Sequence, residues 1–253
     1  MGESMKSVAR MLSPLGGLFL LGACATPPSG DPNDLSWDPL EPYNRPVHET
    51  NVELDAQVIG PVARAYGNTV PQVARNGIRN VRDNWKLPGE IIQYGLQGNG
   101  LRVAQSTTRF AVNTLLGLGG VLDIAKDMGL PYRETGFDET FYQWGIPDGG
   151  YLVMPVFGPG TQRDWTAWAL DQFADPTYYV LSGPVVNGLL VVSGLDIVND
   201  RYELDPIVDQ LLHNSADSYT ATRVSYLQNK RARLSEGEGN SDLDMLEDVY
   251  ANQ

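Results

Sequence analysis

The stretch Val70–Gly89, VPQVARNGIRNVRDNWKLPG, sets the fold class. Counting from Val70, apolar residues return at Ala74, Ile78, Val81 and Trp85, the spacing of one helix face. Shifted by one position, Arg75, Arg79, Arg82 and Lys86 repeat the same spacing and form a basic stripe about 100° round that helix. Pro88 and Gly89 read as its stop. The stripe fits two readings: a surface meeting lipid phosphates, or a solvated face with local ion pairs.

Further helices follow on both sides. Glu90–Gln97 is a short candidate ended by Gly98. Leu101–Leu116 turns Phe110, Ala111 and Leu115 inward and ends at Gly117, Gly119 and Gly120. On that helix Arg102, Gln105, Arg109 and Asn113 form a polar stripe, which either lines an aqueous path or faces solvent. Thr161 and Asp164 have capping-box spacing before a helix at Arg163–Phe173. Leu204–Arg233 reads as two helices parted near Asn214. Strand signals are weak; Tyr151–Phe157 is short and broken by Pro155, an edge piece at best. The expectation is an all-α fold with long irregular connections.

Two apolar stretches, Phe110–Ala125 and Pro184–Val198, fall short of the roughly 20 residues of a spanning helix. A helix of about 11 residues covers roughly 16 Å, half of a hydrocarbon core. Such segments belong in a protein core or in one leaflet. Trp165, Trp168, Tyr178, Tyr179, Tyr142 and Trp144 suit a bilayer interface or a core equally.

The chain has 253 residues, 42% of them apolar, and a formal charge of −13. That balance excludes a nucleic-acid footprint. Lys6 and Arg10 precede the apolar run Met11–Leu21, and Leu21-Gly22-Ala23-Cys24 then has the form of a lipobox. Residues 1–23 are therefore read as a signal peptide and Cys24 as the lipidated first residue of the mature chain. The absence of a second cysteine suits an oxidising periplasm. Ala25, where Asp would favour inner-membrane retention, resembles outer-membrane sorting. Residues 24–37 read as a lipidated tether, 38–235 as the folded domain, and 236–253 as an acidic disordered tail.

Enzymatic chemistry has little support. No serine sits in G-x-S-x-G, and "GLGG" at 117–120 lacks the Lys and Ser/Thr of a phosphate loop. His48 and His213 are the only histidines, too few for a multi-histidine zinc site. No catalytic residue, metal or cofactor is expected, apart from the covalent lipid on Cys24.

Several motifs in order resemble the MlaA (VacJ) lipoprotein family. They are "DPLEPYNRPV" from Asp38, "VPQVARNGIRNV" from Val70, "LQGN" from Leu96, "TRFAVNTLLGLGGVLDIA" from Thr108 and "FDETFYQWGIPDGGYLVMPVFGPGTQRD" from Phe137. "DPTYYV" and a weaker stretch from Leu204 continue the match, which spans about residues 38–234. The segment Pro46–Asp55, "PVHETNVELD", departs from the aromatic-rich run usual there.

The resemblance implies a ring-like helical domain embedded in the inner leaflet of the outer membrane, on its periplasmic side. An amphipathic channel would pass mislocalised phospholipids from the outer leaflet to a soluble periplasmic carrier, beside a trimeric porin. Leu115, Leu116, Leu189, Leu190, Val191 and Val192 become candidate membrane-embedded residues. Arg109, Asn113, Arg75, Asn76, Asn44 and Arg45 become candidates for the lipid path or its support. The alternatives are a porin-associated scaffold that moves no lipid and, with less support, a lipid-modifying enzyme.

Overall fold

A computed structural model describes Leu35 and residues 37–239, with side chains as far as Leu234. The signal segment, Cys24, nearly all of the tether and most of the acidic tail lie outside the described residues.

Helix α1 (Glu41–Leu54) runs through a π turn at Asp55–Ile59 into α2 (Gly60–Thr69). Then come α3 (Gln72–Leu96), α4 (Gly100–Leu115) and the short α5 (Ile124–Asp127) and α6 (Phe137–Gln143). A hairpin of β1 (Tyr151–Met154) and β2 (Gly158–Thr161) leads into α7 (Gln162–Ala174) and α8 (Thr177–Val180). The chain closes with α9 (Gly183–Glu203), α10 (Asp205–Leu212) and α11 (Ser218–Gly239). The fold is mainly helical, as the periodicity predicts. Thr161 caps α7, and its hydroxyl and amide engage Asp164 in the expected box.

One boundary differs. Pro88 does not end its helix: α3 continues from Gln72 to Leu96 with the proline inside it. A helical proline lacks the N–H that would reach the Asn84 carbonyl. Contacts from outside the helix offset that loss. Thr177 Oγ1 donates to the Trp85 carbonyl at the opened turn. Beyond it, Tyr132 Oη donates to Glu90 and Tyr94 Oη donates to the Arg133 carbonyl, fastening the far half of α3 to the irregular segment 130–136. Tertiary bonding on both sides of the ring thus overrides the local breaker.

The two strands pair antiparallel, Tyr151 opposite Thr161 and Met154 opposite Gly158. Helix α1 then treats the open edge of β1 as a strand would. The buried Asn44 amide donates to the Tyr151 carbonyl and accepts from the Val153 N–H, both at 2.9 Å. Two turns on, Asn51 donates to the Met154 carbonyl at 3.0 Å and accepts from the Val156 N–H at 2.8 Å. Against this hairpin packs the one apolar core cluster found among the described residues: Tyr151, Val153, Tyr219 and Leu227, with Leu35, Val47 and Tyr226 at its rim.

Candidate lipid interface and its polar interior

Folding usually hides apolar side chains and exposes charge. Here the distribution is inverted. Among the described residues, twelve apolar side chains are buried against twenty-one polar or charged ones, and twenty-eight large apolar side chains are exposed. Buried charges persist only when they are paired, so the pairing defines the interior.

The basic stripe of α3 faces α9. Arg75 Nη1 donates to Asn199 at 2.7 Å and its guanidinium stacks on the Tyr202 ring at 4.9 Å. Arg79 and Arg82 both reach the buried Asp196 carboxylate, and Arg79 also binds Asp200 and Glu203. Lys86 closes the row on Glu134 at 2.5 Å. Asp196, Asn199, Asp200 and Glu203 recur at helical spacing, so the two helices meet along a ladder of ion pairs. From Arg75 to Arg82 the stripe is therefore an interhelical seam, and only Lys86, paired with Glu134 of the segment 130–136, remains a solvated surface pair.

The polar stripe of α4 is also turned inward. Arg109, 3% exposed, makes two 2.9 Å bonds to Asp123 and reaches the Leu130 carbonyl. Asn113 donates to Asp123 and accepts from the Ala125 N–H, each at 2.9 Å. Together they pin both ends of the glycine-rich loop 116–123 from within. Gly120 is required there: it has φ +99°, and a Cβ would lie 2.6 Å from that of Asn84. The loop carries Leu116, Leu118, Val121 and Leu122, all exposed.

A third polar cluster holds the π turn. Arg201 pairs with Asp55 at 2.7 and 2.8 Å and with Asp209 at 3.0 Å, while His213 Nε2 lies 3.1 Å from Asp55. Burial pushes the Asp55 carboxyl up, but the bonds from Arg201 and His213 outweigh it and leave the group below its ordinary range. Asp55, Asp209 and His213 are close enough together to hold a metal ion. The Arg201 guanidinium already occupies that position, so the cluster is read as an internal ion pair.

Much of the outer surface is apolar. Leu115 is 79% exposed, and Leu116, Leu190 and Val191 are exposed with it; Leu189 and Val192 are half-buried. Phe173, Tyr179, Val180, Val185 and Ile197 on α7 to α9 are exposed as well. Among the described residues no helix is long and apolar enough to cross a membrane. Of the membrane-embedded candidates, Leu115, Leu116, Leu190 and Val191 thus face outward. The lipid-path candidates do not form one site. Arg109 and Asn113 brace a loop, Arg75 lies in the α3–α9 seam, Asn44 holds the hairpin, and Arg45 pairs with Glu41 and Asp217. Asn76 is exposed. Sequence reading did not single out Asp123, Glu134, Asp196 or Asp200. The last had a signal, since acids at Asp196, Asp200 and Glu203 share the period of the α3 cations.

Comparison with known proteins places this inverted helical domain. A family model described as MlaA lipoprotein matches residues 36–233, most of the chain. The chain belongs to the MlaA lipoprotein family. Within it, the Escherichia coli K12 intermembrane phospholipid transport system lipoprotein MlaA is 33% identical over 216 residues, covering 84% of this chain and 83% of that protein. The Haemophilus influenzae protein of the same name is 28% identical over 240 residues, covering 92% and 93%. An uncharacterized Rickettsia felis protein is 33% identical over 199 residues, 78% of each. A solved structure from work on the structural basis for maintenance of bacterial outer membrane lipid asymmetry superposes with TM-score 0.65 at 31% identity. It covers 78% of this chain and 99% of that one.

Proposed function

We propose that this protein is an outer-membrane lipoprotein, anchored through Cys24. On this reading it withdraws mislocalised phospholipids from the outer leaflet and passes them through an amphipathic channel to a soluble periplasmic carrier. The observation that carries the proposal is the inversion itself: charge and amide inside, Leu115, Leu116, Leu190 and Val191 outside. Exposed apolar area on this scale is unfavourable in water, at roughly 25 cal/mol per Å², and neutral against acyl chains. Among the described residues no helix is long and apolar enough to span, and exposed apolar segments of this length suit one leaflet of a bilayer. A phospholipid needs both surfaces at once, an apolar wall for its chains and a polar interior for its head group. Family membership, and the phospholipid transport named for the Escherichia coli relative, support the same reading. The trimeric porin is proposed as a lateral neighbour on the family resemblance. No catalytic step is included, because lipid movement needs no bond to break.

The test is surface aminophospholipid in cells lacking the gene, read with a membrane-impermeant amine label. More label in the deletion, restored by the wild-type gene but not by Cys24→Ala, supports removal of outer-leaflet phospholipid by an anchored protein. Unchanged label, with the wild-type protein present in the outer membrane, favours the porin-associated scaffold.

A further inference from the structure

Among the described residues, two that are not glycine hold left-handed backbone: Leu118 at φ +56° and Val156 at φ +71°. Branched aliphatic residues are disfavoured in that region, which Gly and Asn enter far more readily. Both side chains are also exposed, Leu118 at 74% and Val156 at 64%. In water, glycine or asparagine would serve each position better, for the backbone and for hydration alike. Two penalties at one residue point to an apolar medium outside it.

Val156 stands at the tip of the β1–β2 hairpin, directly after Pro155, a turn position where positive φ calls for Gly or Asn. The turn is held from inside: the Asn51 amide accepts from the Val156 N–H at 2.8 Å and donates to the Met154 carbonyl at 3.0 Å. Next to it Phe157, 61% exposed, packs against Trp168 with ring centres 5.3 Å apart, and Trp168 is exposed too. From Tyr151 to Thr161 the sequence carries no charge.

Area, composition and a parallel elsewhere in the fold say what meets this tip. An aromatic side chain carries roughly 150–250 Å², so the exposed parts of Val156, Phe157 and Trp168 amount to roughly 300 Å². A stable protein interface takes about 800 Å² from each partner. A bilayer sets no such minimum, and tryptophan beside apolar residues is the composition of a bilayer interface. Leu118, the parallel case, lies in the loop that continues the apolar surface of Leu115 and Leu116. That loop is likewise uncharged from Leu115 to Leu122 and braced from the polar interior by an asparagine, Asn113.

We propose that the β1–β2 turn is a membrane-insertion element: Val156 and Phe157 enter the acyl chains of the leaflet, with Trp168 at its polar boundary. The inference rests on the one-leaflet reading above. It adds a point of entry on a different element from the surface of Leu115, Leu116, Leu190 and Val191.

The experiment places an environment-sensitive fluorophore at Val156→Cys or Phe157→Cys in the full chain, reconstituted into vesicles of phosphatidylethanolamine and phosphatidylglycerol. Val191→Cys serves as the lipid-facing reference and Asn214→Cys as the polar one, with the unmodified chain as labelling control for Cys24. Emission at Val156 and Phe157 is expected to shift to the blue and to be quenched by doxyl-labelled phospholipid as at Val191. Most of the iodide quenching seen at Asn214 is expected to be lost there. If cysteine at Val156 disturbs the turn, the Phe157 label decides, since Phe157 does not hold the left-handed backbone. Iodide quenching equal to that at Asn214 puts the tip in water and overturns the proposal; with Val191 still quenched by lipid, the transport reading stands. Protection from both quenchers means that protein covers the tip, and overturns the proposal as well. Iodide reaching Val191 and the tip alike overturns the one-leaflet reading beneath it.

Discussion

Asn44 and Asn51 make the same pair of bonds to one strand edge, and they should differ in energy because only one pair is buried. Asn44→Ala removes the donor to the Tyr151 carbonyl and the acceptor for the Val153 N–H, and both backbone residues are buried. Each orphaned group costs about 1–3 kcal/mol, so the loss is about 3–5 kcal/mol. Asn51→Ala frees the Met154 carbonyl and the Val156 N–H, but Val156 is exposed and water replaces the amide. That loss is about 1 kcal/mol. A chain of this size shifts by about 2–4 °C per kcal/mol. Asn44→Ala should therefore melt about 10 °C lower and Asn51→Ala about 3 °C lower, by far-UV circular dichroism of the detergent-solubilised full chain. Asn44→Asp should be no better at neutral pH, because it loses the donor and sets a second carboxylate near Asp38. Equal shifts for the two alanine variants would falsify this reasoning. A stable Asn44→Ala chain that raises surface aminophospholipid would move Asn44 from hairpin support to lipid contact.

Other expectations follow from the same interior. Asp196→Ala strands Arg79 and Arg82, and denaturant titration should show a loss of about 3–5 kcal/mol, the usual result of breaking a buried pair. Burial pushes the Glu90 carboxyl up to about 8, so the folded chain keeps a proton that the unfolded chain releases above about 4.3. The stability this group contributes is full below the lower value and declines as pH rises to about 8. Glu90→Gln should flatten that decline, seen by comparing denaturation at pH 5 and pH 8.5. Arg109→Lys loses the paired bonds to Asp123. Hydrogen exchange at Leu118–Leu122 should then speed up while α3 amides stay protected.

The helices were legible wherever periodicity and caps agree, as at Thr161–Asp164 and at the glycines after Leu115. Pro88 misled because its local penalty is offset by Thr177, Tyr132 and Arg133, contacts 39 to 92 residues away in sequence. Periodicity misplaced the apolar face of α4: Phe110, Ala111 and Leu115 were expected inward, but Ala111 and Leu115 are exposed and Phe110 is half-buried, because Arg102, Arg109 and Asn113 take the inner face. Leu116 and the run from Leu189 to Val192 are apolar in sequence and stand outside or half-buried. Period alone could not orient the polar stripes. Arg109 and Arg79 look alike on a helical wheel, and only the partners Asp123 and Asp196 place them inside. Cys24 was legible from its neighbours and lies outside the described residues.

The central claim is that Leu115, Leu116, Leu190 and Val191 face acyl chains while the charged seams face inward. Single-cysteine spin labels at Leu116 and Val191, with Asn214 as a polar control, test it most directly in the full chain reconstituted into phospholipid vesicles. The unmodified chain serves as the labelling control for Cys24. The account predicts high oxygen and low nickel-chelate accessibility at Leu116 and Val191, and the reverse at Asn214. Equal nickel-chelate accessibility at all three positions would mean that the apolar surface meets water or protein, and would contradict the account.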